Sequence, residues 1–235
     1  MLSLGTIFGT ERADRRLAKD GVTVIRQFLD DHAANALQRV VDDIYRELAA
    51  CPTLPEGLED NFRRWHGVWL EALPDFMRAR NGELQSKYAE LVAAVVERTR
   101  EQLGSGWQLY LAKSFLRRHV GAALLVPWHI DADVAVLKHE RCINVWLPVD
   151  SVGTTLPSLE VMRRSHLKLR SSPTLAGGVA AAAAFGKPFA PKLNPGDALV
   201  FDQFTLHRTQ RTGASDMTRT SCEFRFYWDA GANPA

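Results

Sequence analysis

His129 and Asp131 stand two positions apart in a chain of 235 residues that holds 7 histidines and 27 acidic residues. Side chains alternate along an extended segment, so the two would project to the same side and could share one metal ion. Random placement of 7 histidines among 27 acids in 235 positions gives about 0.8 such pairs, so for this pair alone a surface histidine beside an aspartate is the plainer reading. A third candidate changes the weighing. His207 follows the turn Asn194-Pro195-Gly196-Asp197 and the apolar strand Ala198-Leu199-Val200-Phe201. Two imidazoles and one carboxylate on one face of an ion leave three positions open, the arrangement of non-haem Fe(II) oxygenases. Taken by itself, His207 is equally well explained as a buried histidine bonded to a backbone carbonyl.

The segment Met217–Phe226 places Arg219, Ser221, Glu223 and Arg225 on alternate positions, hence on one strand face. If that face points inward, its cations need an anionic partner, because an unpaired buried charge is costly. A dicarboxylate would serve, since the planar guanidinium fork binds a carboxylate in bidentate fashion. The solvated outer face of a strand is the alternative. A third cluster, Phe62-Arg63-Arg64-Trp65-His66-Gly67-Val68-Trp69, mixes aromatic and cationic side chains. Over a cavity mouth it could grip an acidic or amphipathic molecule. The favoured reading is an amphipathic helix packing Phe62, Trp65 and Trp69 on the outside of the core.

These residues need elements to carry them. Before Trp107 helical periods dominate: Asp30 and Asp31 offer caps to a helix bearing Leu37, Val40, Val41, Ile44 and Leu48. The run Cys51–Gly57, with two prolines and a glycine, breaks it. A second helix is expected from about Glu83 to Leu103, stopped by Gly104 and Gly106, and Val22–Ile25 reads as a short strand. After Trp107 short strands are expected at Gln108–Arg118, Arg141–Pro148, Leu159–Arg163, Ala198–Phe201, Thr205–Gln210 and Thr218–Trp228, the texture of an antiparallel sandwich or barrel. Ala176–Ala184 reads as a loop and short helix over the barrel mouth.

Composition removes other classes of function. Lys and Arg total 29 against 27 Asp and Glu, so no cationic excess suits nucleic acid. No apolar run approaches the roughly 18 residues of a membrane helix, and the first 16 residues lack the pattern of a secretory signal. Three cysteines, Cys51, Cys142 and Cys222, without CxxC spacing speak against a disulfide framework or a cysteine zinc site. A soluble, cytoplasmic protein acting on a small molecule, with neither nucleic acid nor membrane as partner, is the expectation.

In order and spacing, nearly the whole chain resembles the phytanoyl-CoA dioxygenase-like branch of the Fe(II)/2-oxoglutarate-dependent oxygenases. Lys19–Leu29 is similar to that family's opening strand, His129-x-Asp131 to its proximal ligand pair, and Val145–Asp150 to the strand that follows. Gly196-Asp197 resembles its Gly-Asp turn, and His207-x-Thr209 with Arg219 resembles its distal ligand, a hydroxyl and the oxoglutarate arginine. The departures are Ile130 in place of a frequent Gln, and Arg163-Arg164 in place of Pro-Gly before Ser165-His166. Neither replaces a metal ligand.

The resemblance implies an α+β protein with a mainly β core. That core is a double-stranded β-helix, a cupin-like jelly-roll barrel, with N-terminal helices packed on it. It implies one domain over 1–235, helical in 1–106 and carrying the metal site in the barrel core, 107–235. It further implies Fe(II) held by His129, Asp131 and His207, and 2-oxoglutarate as cosubstrate held by Arg219 and Thr209, with O2 at the last position. Asn144 is a candidate support for the cosubstrate, and Arg225 and Trp65 are candidate substrate contacts; Lys113 could be a second carboxylate contact, though a snorkelling surface lysine is the plainer reading. Succinate and carbon dioxide would be released as the substrate is oxidised. Related halogenases replace the carboxylate with a small residue, so Asp131 points to hydroxylation or a related oxidation. Competing readings are a cupin-like metalloenzyme that does not use 2-oxoglutarate and a catalytically silent metabolite-binding barrel. Arg219 discriminates against the first, which needs no arginine for a dicarboxylate, and retention of all three ligand types weighs against the second.

Overall fold

The alternation of side chains along β5 (Cys142–Pro148) sets the architecture: all seven of its residues are buried, so the strand is covered on both faces. The computed structural model describes residues 13–121, 125–132, 141–171, 182–211 and 217–231, the side chains of 63–65 excepted. On one face of β5, Ile143, Val145 and Leu147 join a core with Leu37, Val40, Val41 and Ile44 of helix α1 (Asp31–Ala49). Leu84, Tyr88, Leu91 and Val95 of helix α4 (Gly82–Leu103) complete it. Its other face turns Asn144 and Trp146 toward the functional cavity.

Seven antiparallel strands form the larger sheet. Its order is β1 (Val22–Ile25), β7 (Ala198–Asp202), β5, β9 (Thr218–Trp228), β4 (Phe115–Val120) and β2 (Gly67–Trp69), with β3 (Trp107–Leu109) also on β9. The smaller sheet pairs β6 (Leu159–Val161) with β8 (His207–Thr209). Val22, Trp146, Val161, Leu199 and Phe201 fill the space between the two sheets. This is the antiparallel jelly-roll core with helices packed on one face that the sequence implies. The helical first part also contributes strands to it, because β1 and β2 are the two ends of the larger sheet.

Local signals place most elements. Asp30 accepts from the backbone N–H of Ala33 at 2.8 Å and caps α1, and Asn81 does the same for Leu84 at 3.1 Å on α4. The Asn194–Asp197 turn closes with Gly196 at φ +91°, where a Cβ would lie 2.8 Å from the carbonyl of Leu29.

Several expected elements differ. Gln108–Arg118 is two strands separated by a 3-10 turn at Leu111–Lys113. From Leu109 to Phe115 there are six steps, but their partners Phe226 and Glu223 are three apart, so the surplus must bulge out of the ladder. Helix α2 (Glu56–Trp65) does not reach Trp69, because His66 takes the left-handed conformation and the chain becomes β2. The strands expected at Leu159–Arg163 and Thr205–Gln210 shrink to β6 and β8. Within Ala176–Ala184, residues 176–181 lie outside the described residues. Further helices are α3 (Leu73–Arg80) and the short α5 (Ser165–Leu169).

Candidate metal centre and cosubstrate cavity

His129 and His207 are brought together by their backbones. Each donates its N–H to the other's carbonyl at 3.0 Å, an isolated antiparallel bridge beside β8. Their rings stand 4.2 Å apart between centroids. Nδ1 of His129 meets the carbonyl of Pro127 at 2.8 Å, and Nδ1 of His207 meets that of Thr205 at 2.9 Å. A carbonyl only accepts, so both Nδ1 atoms carry the proton and both Nε2 atoms keep a lone pair for a metal. Burial first, then His129, pushes His207 down to about 3, which keeps its imidazole neutral.

Asp131 completes the set. One donor atom each from His129, Asp131 and His207 lies within 4.8 Å of the others, the one such group among the described residues. The extended segment expected from His129 through Asp131 ends early: Asp131 and Ala132 are already helical, so a turn rather than strand alternation brings the carboxylate round. Its Oδ1 lies 4.0 Å from Nε2 of His207. The same oxygen accepts from Nη2 of Arg225 at 2.8 Å, and Oδ2 accepts from Nδ2 of Asn144 at 3.1 Å. Burial alone would raise this carboxyl, but the Arg225 guanidinium bonded to it holds it well below the usual carboxylate range. A donor set of two imidazoles and one ionised carboxylate, each with an outer hydrogen bond, fits a divalent metal.

A cavity of about 450 Å³ opens beside the histidines. Thr209, Asn144, Arg219 and Arg225 line it. Arg219 is 1% exposed. Its Nη2 donates to Nδ1 of His119 at 2.6 Å, its Nη1 reaches the carbonyl of Pro157 at 3.4 Å, and its Nε has no partner. The guanidinium sits 5.2 Å from the Trp146 ring centroid, and burial pushes it down to about 10. No described carboxylate forms an ion pair with it. A buried cation left in this state suits an incoming carboxylate. Thr209 Oγ1 accepts weakly from the N–H of Val126 at 3.3 Å and keeps its own proton to donate.

The structure gives three of the candidate residues partners that the sequence did not specify. Arg225, expected at the substrate, is bonded to the carboxylate of Asp131. Asn144 bonds the same carboxylate through its amide, while its Oδ1 has no partner. Lys113 reaches the site through its backbone carbonyl, which accepts from Nη1 of Arg225. Trp65 lies on α2, its side chain outside the described residues.

The sequence reading missed the wall that β4 builds. Phe115, Arg117 and His119 line the cavity there, joined by Trp69 of β2, Asn61 of α2 and Glu223 of β9. Trp69 meets Phe115 edge-on at 4.8 Å, and Arg117 lies 3.5 Å from Glu223. Alternation at Phe115, Arg117 and His119 was available as a signal, but only the pairing of His119 with Arg219 gives that face its meaning. Outside the cavity, Ser165 Oγ accepts from the N–H of Leu206 at 2.8 Å and so fixes the approach to His207.

Residues 17–220 match the family described as Phytanoyl-CoA dioxygenase (PhyH). The chain belongs to the phytanoyl-CoA dioxygenase family. A comparison with curated protein sequences gave no match. Among solved structures, this family member is similar to EvdMO1 with a TM-score of 0.67 and 18% identity, over 95% of this chain and 50% of that one. It thus spans half the length of that protein. EctD from S. alaskensis, solved with 2-oxoglutarate and 5-hydroxyectoine, gives a TM-score of 0.66 at 17% identity, over 92% of this chain and 75% of that one. SnoN, the non-heme alpha ketoglutarate dependent epimerase from nogalamycin biosynthesis, gives 0.61 at 17% identity, over 97% and 90%. At such identities the likeness is one of fold. No helix among the described residues is long and apolar enough to cross a membrane.

Proposed function

We propose that this member of the family is an Fe(II)/2-oxoglutarate-dependent oxygenase that hydroxylates a small molecule, with release of succinate and carbon dioxide. One observation carries the reading: His129 and His207, grouped with Asp131 as a donor set, line the same cavity as Arg219, a buried guanidinium without an ion-pair partner among the described residues. EctD was solved with 2-oxoglutarate, and SnoN is named for its dependence on the same compound, which supports the assignment of the cosubstrate.

Bound iron would supply oxygen activation coupled to decarboxylation of 2-oxoglutarate. The chain's own contribution is binding, orientation and exclusion of water. His129, His207 and Asp131 hold the metal. Arg219 takes the distal carboxylate of the cosubstrate through a charge-assisted fork, aimed by His119, and Thr209 offers a hydroxyl proton. Trp146 covers the guanidinium and keeps water from it. The substrate lies toward Trp69, Phe115 and the Arg117–Glu223 pair, which form the remaining wall.

Asp131 favours hydroxylation over halogenation, because its carboxylate fills the position a halide would need. SnoN is an epimerase on this fold, so the product decides between hydroxylation and epimerisation. A metalloenzyme that dispenses with 2-oxoglutarate leaves Arg219 unexplained. The unit at work is the chain as one domain, since β1 and β2 of its helical part belong to the sheet that carries the site. The test is anaerobic addition of Fe(II) and 2-oxoglutarate. A visible metal-to-ligand charge-transfer band, followed by succinate on admitting air, is expected, and iron binding without either one rejects the reading.

A further inference from the structure

The carboxylate oxygen that faces the imidazoles is already taken. Oδ1 of Asp131, 4.0 Å from Nε2 of His207, is the oxygen that Nη2 of Arg225 holds at 2.8 Å. Oδ2 is held by Asn144. Both side chains of the ion pair are almost wholly buried, at 6% and 2% exposure, so water cannot relieve the guanidinium of its partner.

A second carboxylate stands within reach. The same Nη2 lies 3.4 Å from Oε2 of Glu223. Nη1 of Arg225 is fixed on the carbonyl of Lys113, its backbone N–H donates to Ser114 Oγ at 3.0 Å, and its Nε has no partner. The head group is therefore pinned at one nitrogen and shared between two carboxylates at the other. The 3-10 turn at Leu111–Lys113 supplies the pin.

Resting on the oxygenase reading above, we infer that Arg225 is a resident counter-cation for the metal's carboxylate ligand, which an arriving divalent ion displaces from Asp131 toward Glu223. A metal and a guanidinium on one buried carboxylate oxygen repel each other strongly where little water screens them. Moving Nη2 to Glu223 keeps every charge paired, and the move pivots on Nη1 without unseating the backbone. Arg225 thus keeps the metal-free site paired and positions Asp131, while Glu223 sets how readily the cation yields. Neither residue touches the metal after the exchange.

The experiment is a double-variant cycle read by Mn(II) titration calorimetry on the full chain, with cooperative melting of each metal-free variant as the check on folding. Arg225→Gln removes the competing cation and is expected to tighten Mn(II) binding by about tenfold or more. Glu223→Gln removes the second seat and is expected to weaken binding by about tenfold. In the double variant the effect of Glu223→Gln vanishes, because it acts through Arg225. Mn(II) affinity unchanged or weakened in Arg225→Gln overturns the inference, as does a Glu223→Gln effect that persists without Arg225. Should Arg225→Gln fail to fold, Glu223→Gln decides, and unchanged affinity there overturns it too. Wild-type protein that binds no Mn(II) overturns the oxygenase reading and this inference together, whereas wild-type binding with the wrong variant pattern overturns this inference alone.

Discussion

His129 and His207, 78 positions apart in the sequence, exchange both of their backbone hydrogen bonds at 3.0 Å. The distance between two metal donors is thereby set by main chain and not by side-chain rotamers. Each imidazole is further tied through Nδ1 to a carbonyl two residues earlier, Pro127 for one and Thr205 for the other. A site whose donors are oriented before the ion arrives loses little entropy on loading.

His207→Ala is expected to lower Fe(II) or Mn(II) affinity at least about 100-fold and to abolish 2-oxoglutarate turnover, since two donors hold the ion poorly. Asp131→Gly is expected to lose hydroxylation without gaining halogenation, because halide placement also needs a shaped pocket. Metal titration and product analysis check both. Native affinity in His207→Ala would remove His207 from the ligand set.

Arg219→Ala is expected to raise the KM for 2-oxoglutarate by about 10- to 100-fold, the worth of a charge-assisted hydrogen bond in a desolvated site. His119→Ala removes the group that aims Nη2 and should raise it by less than about tenfold. Succinate release as a function of 2-oxoglutarate concentration separates the two. Equal defects would mean that His119 itself contacts the cosubstrate.

Acid should destabilise the metal-free protein in two stages. His207 is held near 3 against an ordinary 6.5, so the unfolded chain binds a proton that the folded one refuses between those values. The stability it contributes is complete above about pH 6.5 and is lost progressively as the pH falls toward 3. Asp131 is lowered as well, so its contribution is present above its ordinary 3.8 and lost below it. Urea midpoints from pH 8 to pH 3 should be flat above about pH 7 and fall below it. In His207→Ala the fall above pH 4 should be smaller. An unchanged profile in that variant would place the proton uptake elsewhere.

Arg164 occupies the left-handed region at φ +65° just before α5, in the place where the family usually has glycine. Its backbone N–H bonds the carbonyl of Asp20 at 2.7 Å, which fixes that conformation. Arg164→Gly is expected to stabilise the protein by about 0.5–1 kcal/mol, relief of left-handed strain exceeding the added chain entropy. Thermal melting should rise by roughly 1–4 °C. A lower melting temperature would show that the arginine side chain contributes more than its backbone costs.

Much of the site was legible in the sequence because its signals are local. The spacing of His129 and Asp131, the turn before Ala198–Phe201 and the alternation of Arg219, Glu223 and Arg225 each follow from a few consecutive residues. So do the cap at Asp30 and the break at Cys51–Gly57. Even there a local rule misplaced one step, for Asp131 reaches the metal position from a turn and not from an extended segment.

The partners of those residues were decided only by the tertiary structure. Alternation says that Arg219 and Arg225 share a face, but strand register says which groups each one meets, and register is set by segments far apart in the chain. The β4–β9 register puts His119 opposite Arg219, 100 residues away, and the turn at Leu111–Lys113 puts a carbonyl against Arg225. Arg225 meets Asp131 across 94 residues. No periodicity encodes such a contact, because it exists only once burial of both β5 faces and the pairing of β5 with β9 have fixed where the two buried charges must neutralise each other.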